Sequence, residues 1–159
     1  MTDPHVVRPG DAPTPFTAAE IRAGCRPGRE IRIMVDRPGD SRFLRVIHFI
    51  DGDAEGALQE SQRFTMDGEA IDQAIRERTR WSDFQSHASF PAAATTIEED
   101  LIETPAGTFD CLRYDVRRDD GVETFWFATG LPGMPVKVEK REGGEVTFAM
   151  TMTTNVAGG

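Results

Sequence analysis

Ile97 to Val156 reads as strand, turn, strand, four times over. The strands are IEEDLIE, TFDCLRYDV, VETFWFAT, PVKVEK and EVTFAMTMTTNV, and the connections carry Pro-Ala-Gly, Asp-Asp-Gly, Leu-Pro-Gly-Met and Glu-Gly-Gly. Turn residues of this kind between β-favouring runs are the strongest local hairpin signal a chain can carry. A series of sequential hairpins is a meander. A meander of this length has to curl to bury its apolar face, either into a closed barrel or into a half-barrel with helices on the concave side.

The first half of the chain extends the pattern. Residues 1 to 15 hold Pro4, Pro9, Pro13 and Pro15 with little apolar content, which predicts a flexible N-terminal arm. Thr17 and Glu20 have capping-box spacing, with Phe16 ahead as a hydrophobic staple on Ile21, and Pro27-Gly28 ends the short helix. Glu30 to Asp36 alternates cleanly, placing Ile31, Ile33 and Val35 on one face. Arg42 to Asp51 is apolar on both faces, with Leu44, Val46, His48 and Ile50 opposing Phe43, Ile47 and Phe49, as expected of a central strand. Ala57 to Met66 reads as the next strand.

Glu69 to Arg80 is ambiguous. Its composition suits a helix, while the surrounding meander and its charged alternation suit a strand, and strand is the reading taken. Ser82 is the expected N-cap of a second short helix, with Trp81 and Phe84 packing inward. The total is a mostly β (α+β) chain: a curved antiparallel meander of about nine strands with two short helices. One domain spans residues 16–156, and 157–159 form a frayed tail.

The run ETPAGTFDCLRYDV followed by ETFWFATGLPGMPVKVEKREGG resembles small bacterial proteins of the broad LolA-like type. The likeness covers roughly the last 80 residues, Trp81 onward. Proteins of that type are curved antiparallel sheets with helices in the concavity, and lipoprotein carriers are among them. The resemblance implies a concave apolar sheet able to hold an apolar ligand. Its motifs are structural turns, so they do not specify a function.

Composition narrows the function classes. The 159 residues carry a net charge of −9, which argues against nucleic acid and anionic lipid surfaces as partners. No apolar run reaches the length of a membrane span, so membrane insertion is not expected. The N-terminus lacks a basic start followed by an apolar stretch, so a cytoplasmic location is expected. Cys25 and Cys111 lack metal-ligand spacing and read as small buried hydrophobes, with a disulfide between them left open. No phosphate loop or paired-histidine motif occurs, and no cofactor is expected.

Four residues are candidates to line a ligand site: His48, Tyr114, Trp126 and Met150. His48 lies on an apolar strand face and is either a polar group in a cavity or a core histidine. Tyr114 and Trp126 can offer directional donors to a pocket, or can be plain core. Met134, Met150 and Met152 can form an adaptable apolar surface or fill gaps in the core. His87 reads as a helix-end surface residue. Arg113 and Glu123 are expected to pair across a hairpin.

Three functions follow in order. The first is a module binding a small apolar or lipid-like ligand in the concavity. The second is a cofactor-independent enzyme acting on a small hydrophobic substrate through His48 or Tyr114. The third is a protein-interaction domain using its edge strands.

Overall fold

The computed structural model describes residues 2–159. One sheet of nine strands dominates. In chain order the elements are α1 (Ala18–Gly24), β1 (Glu30–Asp36), β2 (Phe43–Gly52), β3 (Gly56–Thr65), β4 (Ile75–Arg80), α2 (Trp81–Ser86), a 3-10 turn (Ala92–Ala94), β5 (Thr95–Thr104), β6 (Gly107–Arg118), β7 (Gly121–Ala128), β8 (Lys137–Glu142) and β9 (Glu145–Val156). The spatial order is β4-β3-β2-β1-β9-β8-β7-β6-β5. Two meanders, β1–β4 and β5–β9, therefore meet along a β1–β9 seam. Every pairing is antiparallel. The sheet is a curved half-barrel with β4 and β5 as open edges, not a closed barrel.

The alternation sorts the residues as period two requires. Ile31, Ile33, Val35, Ile47, Phe49, Tyr114, Val116, Phe127 and Met152 are buried on the inner face, beneath the helices. Irregularities in β2 and β9 help bend the sheet. The capping box forms: Thr17 Oγ1 accepts from the Glu20 amide at 3.2 Å, and Glu20 Oε1 accepts from the Thr17 amide at 3.0 Å. Phe16 meets Phe127 edge-on, with centroids 6.5 Å apart.

Several expectations change. The N-terminal arm is a docked strap. The Ala12 amide donates to Phe90 O at 2.8 Å, Tyr114 Oη donates to Pro13 O at 2.7 Å, and Gln85 Nε2 donates to Pro4 O at 2.8 Å. Backbone and amide hydrogen bonds hold it, which its low apolar content concealed. The tail is docked too, for a Cβ at Gly158 would stand 2.4 Å from Arg26 O. The strand expected from Glu69 begins only at Ile75. Upstream, Asp72 Oδ1 accepts from the Arg63 amide at 3.0 Å and Oδ2 from Arg63 Nε at 2.7 Å, drawing that segment out of the ladder. Helix α2 starts at Trp81, with Arg80 in the N-cap position and no side-chain cap, so Ser82 lies inside the helix. Arg113 and Glu123 do not pair. The register sets Glu123 opposite Val116 and Arg113 opposite Trp126, on different faces. Both cysteines are free and buried.

Candidate functional site

Helices α1 and α2 do not fill the inner face. Between them and the sheet lies a groove of about 760 Å³. Its apolar lining includes Ile47, Phe49, Phe84, Phe125, Phe148 and Met150, and charged Arg45, Glu77 and Asp83 also border it. That volume falls within the usual range for small-molecule pockets, and the groove joins an apolar wall to a polar rim that also includes Gln59, Arg78, His87 and Glu123. A second depression of about 670 Å³ lies on the other side of α1, against Trp81. Trp81 is pinned by its indole, which donates to Asp53 O at 2.8 Å.

The four residues singled out from the sequence are not brought together. Met150 lines the groove. Tyr114 is on the inner face, 1% exposed, under the strap and the Phe90 and Phe127 rings. Burial pushes its phenol up to about 12. Trp126 is on the outer face, where its indole donates to Asp100 Oδ2 at 2.9 Å and Lys137 Nζ sits 5.2 Å from its ring. That indole bond is the main reason Asp100 stays below the usual carboxylate range. His48 is exposed on the outer face, opposite Glu30 and Glu60. It shares a strand with Ile47 and Phe49, but period two turns it away from the groove. His87, read as a surface residue, is exposed at the groove's border.

Arg29 was missed. It is 2% exposed. Its Nε donates to Asn155 Oδ1 at 2.9 Å, and its Nη1 donates to Pro132 O at 2.6 Å, Cys25 Sγ at 3.1 Å and Gly24 O at 3.3 Å. One guanidinium thus ties the end of α1, the loop before β8 and the end of β9. Its Nη2 is buried without a hydrogen-bond partner among the described residues. The signal was available: the alternation of Ile31, Ile33 and Val35 extends back to position 29. Burial raises the Cys25 thiol despite the neighbouring guanidinium, and burial with Asp100 and Asp110 raises Cys111 to about 11.

The chain's shape has known counterparts. Three solved structures of MucB match it: the Pseudomonas aeruginosa MucA/MucB complex, with TM-score 0.62 over 87% of this chain and 54% of that one; MucB with MucA(peri), with 0.60 over 82% and 50%; and MucB alone, with 0.61 over 87% and 56%. Identity is 10% in each case, so the likeness shows the fold alone. It supports the LolA-like curved sheet that the turn residues resembled. The chain spans about half the length of these MucB chains. No family model and no curated protein matches the sequence. The cytoplasmic location expected from the N-terminus finds no support in these neighbours. No helix among the described residues is long and apolar enough to cross a membrane.

Proposed function

We propose that this protein is a binding module whose inner groove receives an apolar group. The observation that carries this reading is the groove itself: about 760 Å³ left between helices and sheet, with aromatic and methionine side chains in its wall. Half-buried apolar side chains such as Phe148 and Met150 are wet in the open groove, and an apolar occupant would remove that surface from water. Titration with Nile red, a neutral apolar dye, tests the reading. Wild type takes up the dye with enhanced emission, and Met150→Glu weakens uptake by about tenfold. No uptake by wild type, or equal uptake by a folded Met150→Glu variant, would falsify it.

The reading extends to a partner protein as the carrier of that group. Two of the three MucB structures contain MucA, which favours protein interaction over free lipid transport for this fold. Two observations favour binding over the enzyme reading. His48 faces away from the groove, and the Tyr114 hydroxyl is engaged under the strap.

A further inference from the structure

The two edges of the sheet are built differently, and the difference identifies a docking surface. Strand β4 is a protected edge. It has six residues, four of them charged and of both signs (Arg76, Glu77, Arg78 and Arg80), and it runs straight into α2. Short, charged edges resist pairing with other chains. Strand β5 has ten residues, pairs with β6 at all ten positions without a bulge, contains no proline, and among the described residues pairs with no strand on its other side. It presents about 33 Å of unpaired backbone edge.

The side chains along that edge carry one sign only. Glu98, Glu99, Asp100 and Glu103 lie in β5, with no lysine or arginine among them. A second copy pairing here would set acid near acid. A basic strand would meet no such repulsion. The two faces of β5 then narrow the choice. On the outer face Glu98 and Asp100 are already held by Arg113, at 2.6 and 3.3 Å. On the other face Ile97, Glu99, Leu101 and Glu103 alternate, and Glu99 and Glu103 have no ion-pair partner among the described residues. Leu101 between them is 64% exposed.

We propose that the outer edge of β5 accepts, as a tenth strand, an extended Lys- or Arg-bearing segment of a partner protein. A residue seated opposite Leu101 puts its neighbours two positions away opposite Glu99 and Glu103. The complementary pattern is basic–x–apolar–x–basic. Main-chain hydrogen bonds supply the attachment, and the alternating side chains supply the selection. The inference rests on the partner-protein reading above and assigns it a surface separate from the groove.

A fluorescein-labelled, acetylated ten-residue peptide with a central Lys-Thr-Leu-Thr-Lys is the probe, read by fluorescence anisotropy against the full chain. Binding is expected to weaken as salt rises and to drop by about tenfold in the Glu99→Lys/Glu103→Lys variant. The same peptide N-methylated at alternate residues along its pairing edge should not bind, because it lacks the donors that a strand needs. Leu101→Ser is the milder variant and should weaken binding without reversing charge. Hydrogen exchange should slow in β5. Equal affinity for the N-methylated peptide, equal affinity of the charge-reversed variant, or dimerisation of the protein through β5 overturns the proposal. Protection at the groove in place of β5 also overturns it, while leaving the partner-protein reading intact. Nile red uptake measured in the same samples reports the groove independently.

Discussion

The inner face of the sheet has two parts with similar residues and different fates. Around Tyr114 it is core: Phe90 and Phe127 pack on the ring with centroids at 6.1 and 5.3 Å, and Pro13 O receives its hydroxyl. Around Phe148 and Met150 the same face is only half-buried and borders the groove. Strand periodicity treats the two parts alike. The strap makes the difference. Thr14, 3% exposed, and Phe16, 5% exposed, fill the first part, and nothing among the described residues fills the second. Gln85 holds that arrangement, its Oε1 accepting from the Ala18 amide at 3.0 Å while its Nε2 donates to Pro4 O at 2.8 Å and Thr14 Oγ1 at 3.0 Å. One buried amide therefore joins α2, α1 and the strap. A sheet face becomes core or site according to what the rest of the chain lays on it.

Truncation on either side gives the largest expected effect. Tyr114→Ala should cost about 3–5 kcal/mol, the usual range for a large buried aromatic. Met150→Ala should cost under about 2 kcal/mol, since its side chain is partly wet already. Urea midpoints with unchanged slopes measure both. Equal costs would mean that the groove is as solid as the core, and the contrast would collapse.

A smaller effect appears at high pH and separates the two parts again. The folded protein holds the Tyr114 proton up to about pH 12, against an ordinary value of 10.0. Between those values the unfolded chain has released a proton that the folded chain retains. Stability contributed by this group is therefore complete below pH 10, falls as pH rises, and is lost by pH 12. Tyr114→Phe should flatten that decline. The shares from the two buried thiols, Cys25, raised by burial, and Cys111, raised from 9.0 to about 11, should remain, beginning near pH 9. A decline identical in wild type and Tyr114→Phe would show that the phenol is solvated and the strap is not seated on it.

These contrasts show what could be read from residues alone. Turn chemistry and alternation carried the strand number, the two helices, the capping box and the shared face of Ile31, Ile33 and Val35, because those are local properties. The β1–β9 seam was not legible, since it joins residues such as Ile33 and Met152 that nothing local connects. Composition reports the low apolar content of the strap but not the hydrogen bonds that join Ala12, Thr14 and Pro13 O to distant segments. The groove was foreseen as a concavity, yet only Met150 of its four nominated residues borders it. Alternation gives the two faces of a strand but not which one is inside. Arg29 escaped notice because a lone arginine at the head of a strand is ordinarily a surface residue.

His48 offers the smallest expected effect and the sharpest check on which face is inside. Both faces of β2 are apolar in sequence, so either could have been the inner one. The structure buries Ile47 and Phe49 at 9% and 5% exposure and leaves Leu44, Val46 and Ile50 half-covered beside an exposed His48. The outer face of β2 is thus an apolar strip kept wet, with His48 set between Glu30 and Glu60 on the neighbouring strands. Removing an exposed side chain here should change stability by no more than about 0.5 kcal/mol. Ile47→Ala, one residue away, should cost about 2–5 kcal/mol. Nile red affinity should be unchanged in His48→Ala, because the imidazole and the groove lie on opposite sides of the sheet. A loss of dye binding in a His48→Ala protein of normal stability would place the imidazole on the inner face. The register of β2 would then be shifted by one residue, exchanging the two sides on which the contrast between core and groove is drawn.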